Sequence, residues 1–481
     1  MPRVAVVGGG VSGLAAAYRL RALLGPDAEL TVIEGTDRIG GKLRTVELAG
    51  LPYDVGAEAF LARRPEAIAL IRELGLDAEL THPTPAGAKI RAGGESRPIP
   101  PGTVLGVPVS ADAVRDVLSA EGYRRVAAEP ELPPADLAGR DVAVGPLLRE
   151  RFGSEVTERL VDPLLGGVYA GHSDSLGLRA TMPALAARLD AGAGSLLSAA
   201  ASLAPKASPT PVSAPTPAGP AAPTRAPVFG TLRQGLGTLP ESLAEAAKAD
   251  LRLGQPVRGL QRTATGWRLE IGSANEPEFL QADAVVLAVP APAASKLLAE
   301  HAPAAAANLA KIELASMAVV AFALPLDCGL PEQSGVLIGS GERRADGTPF
   351  TAKGFTFSSR KWAHLAGDHL LVRGSAGRAG EANTLHRTDA ELIAAVRADL
   401  AELTGVTAEP VDSLVVRWGG GLPQYGVGHL DLIADIERAV AGLPGIAVAG
   451  AVFQGVGVPG CLASADAAAG RIASQLAHSP D

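Results

Sequence analysis

The chain has 481 residues, 47% of them hydrophobic and 20% charged, which is more than one simple core needs, so two or three domains are expected. Lys and Arg total 43 against 51 Asp and Glu, a net charge of −8 with no long basic run, which argues against a nucleic-acid partner. Two cysteines far apart in the chain, Cys328 and Cys461, are too few for a disulfide framework or a zinc site and read as reduced, buried thiols in a reducing cytosol; no other metal constellation is evident.

Val4 to Val7 read as a buried parallel strand, followed at once by a turn of Gly8, Gly9, Gly10, Val11, Ser12 and Gly13 and by a helix starting near Ser12. The glycines let backbone approach a pyrophosphate, and the helix N-terminus points its N–H groups at the phosphates. Ala15, Ala16 and Ala17 permit close helix packing. A second apolar strand, Leu30 to Ile33, ends at Glu34, whose carboxylate is suited to accept ribose hydroxyls and so argues against a 2′-phosphate. Gly40 and Gly41, between Arg38 and the pair Lys42 and Arg44, bring more backbone to the same place. That second glycine pair favours FAD, while NAD stays open on strand, turn and acid alone.

The first strand begins within a few residues of Met1, so no secretion signal is expected. The most apolar long stretch, residues 182–205, is broken by Arg188, Asp190 and glycines, so no transmembrane segment is expected either. A cytoplasmic location follows, with peripheral membrane contact left open.

Further along, residues 64–74 read as an amphipathic helix, 89–101 as a short hairpin and 141–167 as helical. Residues 195–228 repeat proline every few positions and read as a disordered Pro/Ala-rich loop. Order returns at Phe229, with a helix to Lys248, strands at 251–260 and 266–271, and a buried parallel strand over 283–290. Segments 317–324 and 369–374 are candidates for an antiparallel sheet. Residues 446–450 read as a strand, 453–459 as a glycine-rich turn and 463–476 as an alanine-rich helix. Such a helix N-terminus against a flavin would stabilise the negative charge of the reduced ring.

Five strings together resemble the FAD-dependent porphyrinogen oxidases of haem synthesis, within the wider amine oxidase-like flavoproteins. They are G-G-G-V-S-G-L-A-A-A from Gly8, G-A-E-A-F-L-A-R-R from Gly56, D-P-L-L-G-G-V-Y-A-G from Asp162, R-W-G-G-G-L-P-Q-Y-G-V-G-H from Arg417 and G-V-G-V-P-G-C from Gly455. The chain looks most similar to the bacterial branch that forms coproporphyrin III. The resemblance implies an α/β fold with a two-dinucleotide-fold FAD domain (1–80, 229–300 and 411–478), an α+β substrate domain (81–110 and 301–410) and a helical subdomain (111–194). It implies non-covalent FAD held by Gly8 to Gly13, Glu34, Gly35, Lys42, Gly56, Ala57, Glu58, Ala59, Val257, Trp418, Val456, Gly457 and Val458. Val257, at the end of a short strand, would offer a backbone amide to adenine.

The implied reaction is the six-electron oxidation of coproporphyrinogen III to coproporphyrin III, with O2 as acceptor and H2O2 as product; transient contact with a ferrochelatase would follow. Positioning is the main demand, and no catalytic acid or base is singled out. A large apolar macrocycle edged with carboxylates calls for apolar walls and a few cations at the mouth. Arg64 and Lys361, beside Arg360 and Trp362, are the expected cations, each read alternatively as a solvated surface charge. Tyr169 and Tyr425 are candidate cavity walls or packing residues, and His172 and His429 read as structural. Competing readings are a protoporphyrinogen IX oxidase, an amine oxidase and a non-catalytic porphyrin carrier.

Overall fold

The computed structural model describes residues 1–204 and 227–478. Strand β1 (Arg3–Val7) leads into helix α1 (Val11–Leu24) and strand β2 (Glu29–Ile33). Helix α2 (Pro65–Glu73) starts at a proline, which is tolerated where the first N–H groups have no intrahelical acceptor. The hairpin β3 (Ala88–Ala92) and β4 (Glu95–Pro98) follows, then helices α3 (Asp162–Tyr169) and α4 (Leu196–Leu203).

Beyond Phe229 come β5 (Asp250–Arg252), β6 (Val257–Arg262), β7 (Trp267–Gly272), β8 (Pro277–Ala282) and β9 (Ala284–Leu287). The second half contains β10 (Leu314–Pro325), β11 (Gly335–Ile338), β12 (Ala352–Phe357) and β13 (His369–Ala376), then helix α5 (Asp389–Thr404), β14 (Asp412–Pro423), β15 (Ile446–Val448) and helix α6 (Val458–Ala477).

Five of these strands form a parallel sheet in the order β5-β2-β1-β9-β15. Its strands are apolar runs because both faces are covered, one by helices and the other by helices together with the β6–β8 sheet. On one face Val4 and Val6 pack with α1 and α6 through Leu14, Leu20, Leu462 and Ile472; on the other, Ala5 and Val7 meet a separate cluster around Trp267 and Leu298. Strands β6, β7 and β8 make an antiparallel three-stranded sheet.

The second sheet has seven strands in the order β14-β10-β13-β12-β11-β3-β4, antiparallel except for the β11–β3 pair. Alternation along β10 sends Val320 and Phe322 to α5, where Leu392, Val396 and Leu400 wait, and Ala321 and Ala323 to the opposite face with Trp362 and Tyr53. Each large side chain buried here contributes about 2 kcal/mol. Helix α5 is set by a capping box in which Thr388 and Glu391 satisfy each other's backbone N–H groups.

The expected α/β architecture is therefore present, with local differences. Strand β14 joins the seven-stranded sheet, so the expected 411–478 segment is split: nine of the residues of β14 pair with β10, while β15, α6 and the helix over 429–441 return to the parallel sheet. The expected 195–228 loop opens with α4, whose start Ser195 caps by accepting from Ser198 N, while residues 205–226 lie outside the described residues. Helix α6 begins five residues before Ala463, because Pro459 in its first turn does not stop a helix. Cys328 is half-buried rather than buried, and Cys461 is buried; both are free thiols. No described helix is long and apolar enough to cross a membrane.

Candidate functional site

The turn between β1 and α1 is shaped by close backbone approach. Gly8 has φ +110°, and a Cβ there would stand 2.5 Å from the Ala288 carbonyl oxygen. A Cβ on Gly13 would lie 1.9 Å from the Gly8 oxygen, so α1 can rest on the turn only with glycine at this position. Gly10 is the N-cap of α1 and offers no side-chain cap, which leaves first-turn N–H groups for an anion. A second glycine turn abuts the first: Gly40 N donates to Gly9 O at 2.8 Å, and a Cβ on Gly10 would meet only Gly41 Cα, at 3.9 Å.

Glu34 closes this corner. Its Oε2 accepts from Gly9 N and its Oε1 from Thr36 N, both at 2.8 Å, which orients the carboxylate and leaves lone pairs free. Gln255 N donates to Glu34 O at 2.9 Å, and Gly35 faces Pro256, so Val257 arrives at the same corner as the first residue of β6.

The 54–59 segment is locked from two sides. Ala57 N donates to Lys42 O at 3.0 Å, and a Cβ on Gly56 would come within 2.0 Å of that oxygen. Trp418, half-buried on β14, donates from Nε1 to Val55 O at 2.9 Å and lies against Gly56, with the Arg38 guanidinium 5.7 Å from its ring. Glu58, with 12% of its side chain exposed, meets Lys361 Nζ at 3.3 Å and Arg373 Nη1 at 3.4 Å, and accepts from Trp362 Nε1. Burial alone would raise the Glu58 pKa, but Lys361 and Arg373 outweigh it and hold the carboxylate below its ordinary range.

Arg373 also donates to the carbonyls of Asp54 and Gly56 at 3.0 Å each. It was not among the expected site residues, although a lone charge inside L-L-V-R-G marks it. Lys361 does not stand free at a mouth: its ammonium is held by Glu58 and lies 4.9 Å from the Trp362 ring and 5.9 Å from Phe229. Arg64, the N-cap of α2, is 43% exposed and pairs with Glu66 at 2.6 Å. The pairing of Phe229 with Leu61 brings Lys361 and Arg64 into one neighbourhood.

Tyr169 and Tyr425 are buried, with ring centroids 5.5 Å apart. Tyr425 stacks on His429 at 3.9 Å and donates its hydroxyl to Ala451 O, while His429 Nε2 bonds Val452 O at 2.9 Å. Burial pushes the Tyr169 phenol up to about 12, the Tyr425 phenol further up, and the His429 imidazole down. These rings brace the loop before α6 and pack in the helical core. His172 is exposed and lies 3.6 Å from Glu381.

The loop they brace carries Val456, Gly457 and Val458. Gly457 is the N-cap of α6 with no side-chain cap, and a Cβ on Gly460 would be 2.6 Å from Gln454 O, so the loop folds tightly onto the helix. Cys461 in the first turn of α6 is buried beside Ser12 of α1, where the two helix N-termini meet.

Residues 11–473 match the flavin containing amine oxidoreductase family. Over 476 residues the chain is 42% identical to the coproporphyrinogen III oxidase of Mycobacterium leprae, covering 98% of each chain. It is 30% identical over 473 residues to the coproporphyrinogen III oxidase of Bacillus subtilis, covering 97% of this chain and 96% of that protein. Among solved structures, an Exiguobacterium sp. 255-15 protein provisionally named protoporphyrinogen oxidase superposes with a TM-score of 0.84 at 32% identity, over 98% of this chain and 99% of that one. Cyclohexylamine oxidase from Brevibacterium oxydans, at 17% identity and a TM-score of 0.70 over 99% of this chain and 100% of that one, shares the fold alone. The chain belongs to the flavin containing amine oxidoreductase family and groups there with bacterial coproporphyrinogen III oxidases.

Proposed function

We propose that the protein oxidises coproporphyrinogen III to coproporphyrin III in haem synthesis, with non-covalent FAD as cofactor and O2 as acceptor. The observation that carries this reading is full-length similarity to coproporphyrinogen III oxidases on a cradle whose exposed groups are backbone amides and one carboxylate. The balance is coproporphyrinogen III plus three O2 giving coproporphyrin III plus three H2O2, six electrons and six protons leaving the macrocycle in pairs.

The residues fit a flavin dinucleotide. The space in front of Gly10, which a Cβ would fill, accepts a pyrophosphate beside the α1 N-terminus. Glu34 has lone pairs left for ribose hydroxyls, with Gly35 and Val257 at the adenine end. Lys42, Gly56, Ala57, Glu58 and Ala59 form the second wall, held by Arg373 and Trp418. Val456, Gly457 and Val458 at the start of α6 supply N–H groups and a positive helix end suited to negative charge. When bound, FAD supplies the two-electron oxidations and returns each electron pair to O2.

The chain's own part is to hold and orient. Trp418 and the braced 451–458 loop fix the walls of the reaction cleft. Arg64 is the exposed cation available to a substrate carboxylate, and Lys361 acts through Glu58 as a positioning residue. The deciding experiment mixes FAD-loaded protein separately with coproporphyrinogen III and protoporphyrinogen IX in air, against matched no-enzyme controls, and follows porphyrin fluorescence. Faster turnover of the first is expected. Preference for the second overturns the substrate assignment, and no enzyme-dependent oxidation of either turns the reading to an amine oxidase or a carrier. The proposed location is cytoplasmic.

A further inference from the structure

Between the turn at His172 after α3, the turn after β11 and the loop after β13 lies a pocket of about 240 Å³, backed by Asp162, which bonds the lining residues Ser340 and Arg378. Its acids are already satisfied. Asp162 accepts from Ser173 N at 2.8 Å, from Ser340 Oγ and from Arg378 at 2.9 Å. Glu342 faces Arg91 at 3.5 Å and accepts from the N–H groups of Gly93 and Gly94; Glu381 faces His172. Two cations are left over. Lys353, 8% exposed, makes one hydrogen bond, to Gly377 O at 3.2 Å, and Arg343 donates to Gly347 O. Among the described residues neither has a carboxylate within 4.0 Å. Ile338, Phe350 and Ala352 supply apolar wall beside them.

A buried ammonium without a counter-ion is costly unless an anion visits it. Burial, helped by Arg378 and opposed by Glu381, pushes Lys353 down to about 7. The volume is below that of a pocket for a drug-sized ligand, so it takes an arm or a small molecule rather than a macrocycle. An apolar wall next to a cation suits a carboxylate on a methylene stem better than inorganic phosphate.

We propose that this pocket binds the carboxylate of an amphiphilic acid, with Lys353 at the carboxylate, Arg343 at the rim and Ile338 and Phe350 along its stem. The acid is either an arm of the bound substrate or a free short-chain dicarboxylate. The first source rests on the porphyrinogen reading. It is favoured because Ala379, next to Arg378 of the pocket, donates to Ala170 O at 2.7 Å, one residue from Tyr169, which packs on Tyr425 beside the loop before α6.

The test is calorimetric titration of the FAD-loaded protein with glutarate, coproporphyrin III and inorganic phosphate at pH 6 and pH 8. For both carboxylates, wild-type affinity is expected to fall about tenfold between the two pH values as Lys353 loses its proton. Lys353→Met weakens binding about tenfold at pH 6 and removes the slope; Lys353→Arg, permanently charged, keeps binding at both. The other charged or titratable groups around Lys353 are Arg343, Arg373, Arg378, Glu342, Glu381 and His172, and His172→Gln is expected to leave the slope in place. Arg343→Gln, at the exposed rim, weakens binding about threefold and keeps the test alive if the buried variant fails to fold.

Response of both carboxylates identifies a substrate arm, and response of glutarate alone identifies a free acid. No response of either to these variants, or phosphate binding as tightly as glutarate, overturns the proposal. No step needs turnover, so a wild-type protein that oxidises neither porphyrinogen sinks the functional reading while leaving the glutarate result to stand or fall separately.

Discussion

At the corner of β1 and α1, Gly9 and Glu34 meet across 25 positions of chain, and what faces the cleft is backbone. On the seven-stranded sheet, Asp162 and Arg378 meet across 216 positions, and what faces the pocket is side chain. The first site is made by removing side chains so that main-chain dipoles converge; the second is made by leaving cations in excess over acids in a folded-over corner. A backbone site fails by steric intrusion. A side-chain site fails by loss of charge balance, and so it can be tuned by pH and by conservative substitution.

The largest effect is expected for Gly13→Val, whose Cβ would stand 1.9 Å from the Gly8 oxygen with no rotamer to relieve it. The variant should yield no soluble, flavin-loaded protein; normal flavin absorbance after gel filtration would refute the backbone account. Next comes Glu58→Ala, which strands Lys361 and Arg373 and should cost about 3 kcal/mol in denaturant unfolding. Because the Glu58 pKa is depressed in the fold, its contribution is full above the ordinary glutamate value of 4.5 and lost as pH falls through the lower folded value. Glu58→Gln should therefore lose this acid-side dependence while keeping an acceptor for Trp362.

Glu34→Ala comes third: with a charged acceptor gone, flavin retention in dialysis should weaken by about tenfold to a hundredfold. Unchanged retention would remove Glu34 from the cofactor site. Arg64→Ala is the smallest, since its pair with Glu66 is exposed and worth under about 1 kcal/mol. Its effect should appear as a higher KM for coproporphyrinogen III that salt diminishes, with kcat and melting temperature nearly unchanged. An unaltered KM would remove Arg64 from the substrate mouth.

The glycine turn and the strand ending at Glu34 were legible because each depends on neighbours in sequence, where spacing carries the geometry. The strand over 412–423 was misassigned to the nucleotide domain because β-pairing partners are chosen by long-range register, and its partner β10 begins almost a hundred residues earlier. Tyr169 and Tyr425 illustrate a second limit, since an aromatic ring that lines a cavity and one that braces a loop look alike in a string of letters.

Sequence alone determined the α/β class, the backbone character of the nucleotide turn and the family motifs, all of which are encoded by local spacing and by residues whose conformational freedom is peculiar to glycine. Only the tertiary structure decided that Lys361 is bound by Glu58, that Arg373 pins the 54–56 carbonyls and that Lys353 is left without an acid. Charge pairing acts over a few ångströms in space and depends on burial, and neither quantity is written in the order of residues along the chain.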